Sequence, residues 1–131
     1  MKFKLLLVFS FISLSSIGNL ANAQTQPKPV DYEIGAMFAS NMFTKLNGSI
    51  RVLDSTLTFT FPNKTTKYII TKYSEPFNKF LLTDGIEEFI LTITEQKGKM
   101  KGYEHQYLGI FEIKSKFYSV SYALNRKEST N

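Results

Sequence analysis

The chain contains no cysteine and no tryptophan, and only one histidine and four prolines. Without thiols there is no disulfide, no thiolate metal site and no cysteine nucleophile. There is likewise no lipid-modified cysteine, so a lipoprotein is not expected. A single histidine falls short of the three or four side chains that common zinc sites recruit. Gly-x-Ser-x-Gly, P-loop and HExxH patterns are missing too. The sequence therefore offers no catalytic residues, no metal ligands and no cofactor signature, and an enzyme is not the expected class. A fold without disulfides must be held by packing alone, and the chain carries 12 phenylalanines and 7 tyrosines for that purpose.

The one long apolar run lies at the start. Lys2 and Lys4 form a basic lead, Leu5 to Ile17 is uncharged and mostly apolar, and Ala21-Asn22-Ala23 supplies small residues two apart. That order reads as a secretory signal, residues 1–23, cleaved after Ala23. As a helix the apolar run is only ~20 Å long, short of a bilayer core of roughly 30 Å. The expected product is exported, periplasmic or extracellular, without stable membrane insertion. It carries 14 basic and 11 acidic side chains. That modest excess, spread along the chain, does not make the basic field of a nucleic-acid binder.

Residues 24–30 are polar and proline-containing and read as a flexible lead, and residues 125–131 as a frayed tail. Between them lies one domain, residues 31–124. Thr56 to Phe61 alternates strictly, with Leu57, Phe59 and Phe61 on one face and threonines on the other, which is a half-buried strand. Further β-rich runs are Lys67–Tyr73, Phe77–Leu82, Ile86–Glu95, Tyr103–Ile113 and Phe117–Leu124. Turns are expected at Asp54-Ser55, Pro62-Asn63, Thr83-Asp84-Gly85 and Lys97-Gly98-Lys99. Asn47-Gly48, between MFTKL and SIRVL, is the strongest local hairpin signal. The stretch from residue 31 to 46 reads two ways. Its apolar residues fit a helical stripe, but Gly35 opposes a helix, and two strands, Tyr32–Ala39 and Met42–Leu46, complete a meander.

The expected fold is all-β: an antiparallel up-and-down meander of about eight strands, closed as a small barrel or folded into a β-sandwich, the latter possible with an N-terminal helix at 31–46. The phrases NGSIRVLDSTLTFTF, FLLTDGIEEF and FEIKSKFYSVSYAL, which span most of residues 47–124, resemble small secreted bacterial lipocalin-like proteins. The resemblance is architectural, and it implies a calycin-type barrel with a ligand in its interior. The Gly-x-Trp signature of true lipocalins is absent.

Tyr103, His105, Tyr107 and Phe111 share parity on one strand and are the candidate ligand-binding residues, with tyrosine hydroxyls as the polar contacts. The alternative is an ordinary core face. Lys97, Lys99 and Lys101, with Gly98 and Gly102 between them, form either an anion site or a solvated hairpin tip. Asp31 and Glu33 share parity, whereas Glu87 and Glu88 point to opposite faces of a strand and cannot act on one bond.

Three functions fit these residues. The first is a non-enzymatic carrier of a small apolar or amphipathic ligand. The second is a filled-core module that binds an envelope protein through an open strand edge, for which Tyr32–Ala39 is the candidate. The third is a surface-polymer hydrolase, which would need His105 beside Ser119, Ser121 or a carboxylate.

Overall fold

The computed structural model describes residues 26–127. The expected signal segment and most of the expected tail lie outside the described residues. Eight antiparallel strands follow one another: β1 Val30–Ala39, β2 Met42–Leu53, β3 Thr56–Phe61, β4 Lys64–Ser74, β5 Lys79–Thr83, β6 Glu88–Met100, β7 Tyr103–Ile113 and β8 Tyr118–Arg126. A single 3-10 turn, Glu75–Phe77, separates β4 from β5. Every strand pairs with its neighbour in sequence, and β8 pairs back onto β1, so the meander closes into a barrel. This is the architecture of a lipocalin-like barrel rather than of a sandwich.

Closure settles the ambiguous N-terminal stretch. Residues 31–46 form two strands joined by the Ser40-Asn41 turn and carry no helix. β1 is paired along one side with β2 and along the other with β8, so Tyr32–Ala39 presents no open edge. The last strand also runs two residues past its expected end, through Asn125 and Arg126.

Two expected turns lie elsewhere. Asn47-Gly48 is inside β2, and the chain reverses at Ser40-Asn41, where φ is 52° and 62°. Positive φ at both central positions is what a type I′ hairpin requires. Gly48 answers a different need: a Cβ there would come within 2.6 Å of the Phe61 ring. Glycine inside a strand often marks such a close approach. Likewise β6 continues through Lys97-Gly98-Lys99, and the reversal falls at Lys101-Gly102, again with positive φ at both positions, 53° and 84°. The Thr83-Asp84-Gly85 turn forms where expected. Asp84 Oδ1 accepts bonds from the Ile86 and Glu87 amides, and this holds its carboxyl below the usual range.

Three bulges correct the simple alternation. Tyr32 and Ile34 face inward on β1, and beyond Gly35 the inward positions become Met37 and Ala39. On β4 the extra residue is Thr71, so Ile70 and Tyr73 both reach the core. On β6, Gln96 and Lys97 lie opposite Gln106 alone. Bulges add local twist and re-aim side chains, and they concentrate at barrel rims.

An eight-stranded barrel is just wide enough for side chains to fill. Ile34, Ile50, Val52, Leu57, Leu82, Leu91 and Leu124 are almost wholly buried within it. One end receives the turns Ser40-Asn41, Pro62-Asn63, Asp84–Glu87 and Lys114–Phe117. The other receives Asp54-Ser55, the 3-10 turn, Lys101-Gly102, and the start of β1 with the end of β8.

Candidate functional site at the barrel mouth

The two ends differ. Towards the first, Phe59, Phe61, Tyr68, Phe89, Phe111 and Tyr122 pack ring on ring, with centroids 5.0 to 6.4 Å apart. These rings plug the barrel. Edge-to-face and offset contacts of this kind add stability beyond the area they bury.

At the other end the rings form two separate pairs, Tyr32 with Tyr107 and Tyr73 with Phe80, around a cavity of about 320 Å³. Tyr32, Tyr73, Phe80 and Tyr107 form its walls, and Glu75, Asn78 and Arg126 are polar groups on its lining. Gln26, Pro27 and Lys28, the residues leading into β1, lie across it. Each wall has a local cause. Tyr32 precedes the Gly35 bulge and meets Tyr107 edge-on, 5.6 Å between centroids. Tyr73 is turned inward by the Thr71 bulge and packs against Phe80 at 4.8 Å. Its hydroxyl donates to Asn78 Oδ1 at 3.0 Å. Asn78 can present that oxygen because it ends the 3-10 turn in the left-handed region, which asparagine tolerates. Burial pushes the Tyr32 and Tyr73 hydroxyls above their ordinary value, so both remain neutral donors.

The four candidate residues of β7 do not converge on one site. Phe111 is part of the aromatic plug. Tyr107 is a wall of the mouth cavity. His105 is buried beside a separate groove on the β6–β7 hairpin. Tyr103 lies against the outer wall of the barrel, where its ring occupies the space a Gly35 Cβ would need. Its neighbours there include Ala36, Met100 and Ala123. The reason is the length of the hairpin. β6 and β7 outrun the main barrel, and the bulge at Gln96-Lys97 bends them back across β8 onto β1. Parity along β7 holds, but the surface it faces changes.

Asn125 fixes that bend. Its Oδ1 accepts from the Gln106 amide at 2.9 Å, and its Nδ2 donates to the Glu104 carbonyl at 2.7 Å and the Tyr103 hydroxyl at 3.0 Å. The Tyr103 hydroxyl in turn donates to Glu33 Oε1 at 3.1 Å. One side chain thus replaces the ladder where β7 parts from β8. Asn78, Asn125 and Arg126 were not singled out from sequence. The first fell inside the expected strand Phe77–Leu82, whose first two residues belong instead to the 3-10 turn and its cap, and the other two fell in the expected tail.

Ser121 pairs with Ile110, five residues along β7 from His105, roughly 17 Å at strand rise. The histidine–serine arrangement a hydrolase would need is not formed there. Asp31 is engaged by Arg51 at 2.9 Å on the outer surface. Among the described residues no group of three or more His, Asp or Glu side chains is placed to hold a metal.

No family model matches the chain, and neither the curated proteins nor the solved structures searched include a match.

Proposed function

We propose that this is an exported, non-enzymatic binding protein that holds a small amphipathic anion at the barrel mouth, not deep inside the barrel. The observation that carries this reading is the cavity among Tyr32, Tyr73, Phe80 and Tyr107 with Arg126 on its lining. Ligand pockets combine apolar walls with a few polar groups that fix orientation. A volume of about 320 Å³ holds roughly ten non-hydrogen atoms at ~30 Å³ each. A medium-chain carboxylic acid has that size, and its carboxylate would meet the Arg126 guanidinium. Octanoate is the natural probe. Calorimetry should show saturable binding of octanoate and weaker binding of octanol. Arg126→Gln should remove the difference between the two, and Tyr107→Ala should weaken both. Equal, weak binding of both probes to every variant would overturn the reading.

A second reading, a module that recognises another envelope protein, draws on the plugged end. Met42, Phe43, Ile86, Phe117 and Tyr118 are exposed there on three turns. With no free edge on β1, such a partner would meet turn tips instead of adding a strand. Ile86→Asp with Phe117→Asp would then abolish crosslinking to the partner and leave octanoate binding intact. Crosslinking that survives this double substitution would exclude the turn tips.

A further inference from the structure

The β6–β7 hairpin carries a groove of about 790 Å³ that shares only Arg126 with the lining of the mouth cavity. Lys97, Lys99, Glu104, His105, Asn125 and Arg126 line it. We infer that this groove is a binding site for a phosphoryl group, carried by a soluble phosphate or by a lipid headgroup.

Three observations converge. The first is charge. Three cations face one carboxylate, leaving two positive charges, the complement of a phosphate dianion. Lys99 and Glu104 are 3.7 Å apart and highly exposed, a loose pair that costs little to open. Lys97 and Arg126 have no carboxylate partner among the described residues. The second is an orphaned polar group. His105 is 7% exposed, and its Nδ1 is buried without any hydrogen-bond partner. Buried polar atoms are nearly always satisfied, and an exception calls for a missing partner. The third is access. Gly98 stands directly opposite His105, and a Cβ there would lie 3.1 Å from its Nε2. Without a side chain at Gly98, the Nε2 edge of the buried ring and the Gly98 backbone border the groove together.

The groove is also held in shape. Asn125 clamps the Glu104 carbonyl and the Gln106 amide on either side of His105, and Tyr103 seats the hairpin on Gly35. The site is therefore built before a ligand arrives, which limits the ordering cost of binding. Arg126 also lines the mouth cavity, but the groove does not depend on a ligand there.

His105 is the only histidine of the chain, so its ring nitrogens give an unambiguous NMR signal. The ¹⁵N-labelled exported protein is titrated with inorganic phosphate, with chloride adjusted to keep ionic strength constant. Phosphate should shift the His105 ring signals saturably, with a dissociation constant of about 1 mM or tighter. Lys97→Ser with Lys99→Ser should weaken this by roughly tenfold or more. Lys114→Ser with Lys116→Ser, on the far end, should not change it. Flotation with phosphatidylglycerol vesicles then separates the sources. Binding that inorganic phosphate competes away assigns a lipid headgroup. Phosphate binding without flotation assigns a soluble phosphoryl ligand. No saturable shift, or one that the Lys97/Lys99 variant retains in full, would overturn the assignment. Because the mouth is empty in this titration, failure here leaves the octanoate result standing, and the reverse also holds.

Discussion

The two ends of this barrel are built largely from aromatic residues and do opposite things with them. At the plugged end four phenylalanines and two tyrosines lie in mutual contact, and Phe59 alone meets Phe61, Tyr68, Phe111 and Tyr122. At the mouth three tyrosines and one phenylalanine line a cavity. A phenylalanine ring has no polar atom to satisfy and can be enclosed on all sides, whereas a tyrosine hydroxyl seeks a partner or water. Tyr73 finds Asn78, and that bond fixes the inward-turned ring at the rim, packed against Phe80. The lesson is that stability and binding are segregated along one axis. The plug should tolerate no vacancy, and the mouth should tolerate change at little cost to the fold.

The largest effect should come from the plug. Phe59→Ala removes a ring that touches four others and should cost about 3–5 kcal/mol, the range for large-to-small core changes. Urea unfolding measures it, and octanoate affinity of the folded fraction should be unchanged. A smaller loss should follow Gly35→Ala. A Cβ at Gly35 would collide with the Tyr103 ring, so the hairpin must lift. Overpacking of this kind costs roughly 1–3 kcal/mol. Amide exchange in residues 96–106 should accelerate and phosphate binding should fall, with the plug still protected.

A pH test sharpens the same contrast. Burial pushes the Tyr122 hydroxyl in the plug up to about 12, from an ordinary 10.0. The folded state thus favours the neutral phenol. Its contribution is complete below pH 10.0 and is lost as pH rises towards 12. Stability should hold to the lower value and then fall, and Tyr122→Phe should flatten that fall. The smallest effect belongs to the outer wall. The Arg51 bond holds the Asp31 carboxyl below its ordinary 3.8. That contribution is present above pH 3.8 and disappears as pH falls below it. Arg51→Gln should lower stability slightly above pH 3.8, less so in high salt, and its profile should converge with that of the unsubstituted protein as pH falls below that value.

The barrel could be read from the chain because period-two alternation and short connections leave few other solutions. Leu57, Phe59 and Phe61 declared one wall, and the β3–β4 pairing followed. Two turns escaped because glycine has two uses. Asn47-Gly48 looked like a hairpin, yet Gly48 makes room for Phe61, while the less conspicuous Ser40-Asn41 adopts the required positive φ. The site was legible only in pieces. Tyr107 and His105 were correctly placed on one strand face, but that strand leaves the barrel between them. Parity describes a flat ribbon, and it cannot register a bulge such as Gln96-Lys97 on the neighbouring strand. Tyr73, Asn78 and Arg126 reach the mouth from β4, the 3-10 turn and β8, a convergence that exists only after closure.

The most direct test of a ligand at one end is to locate it. Filtered nuclear Overhauser spectra of the protein with octanoate should show contacts from the alkyl chain to the Tyr73 and Tyr107 rings. None should reach Phe61 or Phe117. Contacts confined to the plugged end, or none at all with octanoate in excess, would contradict the account.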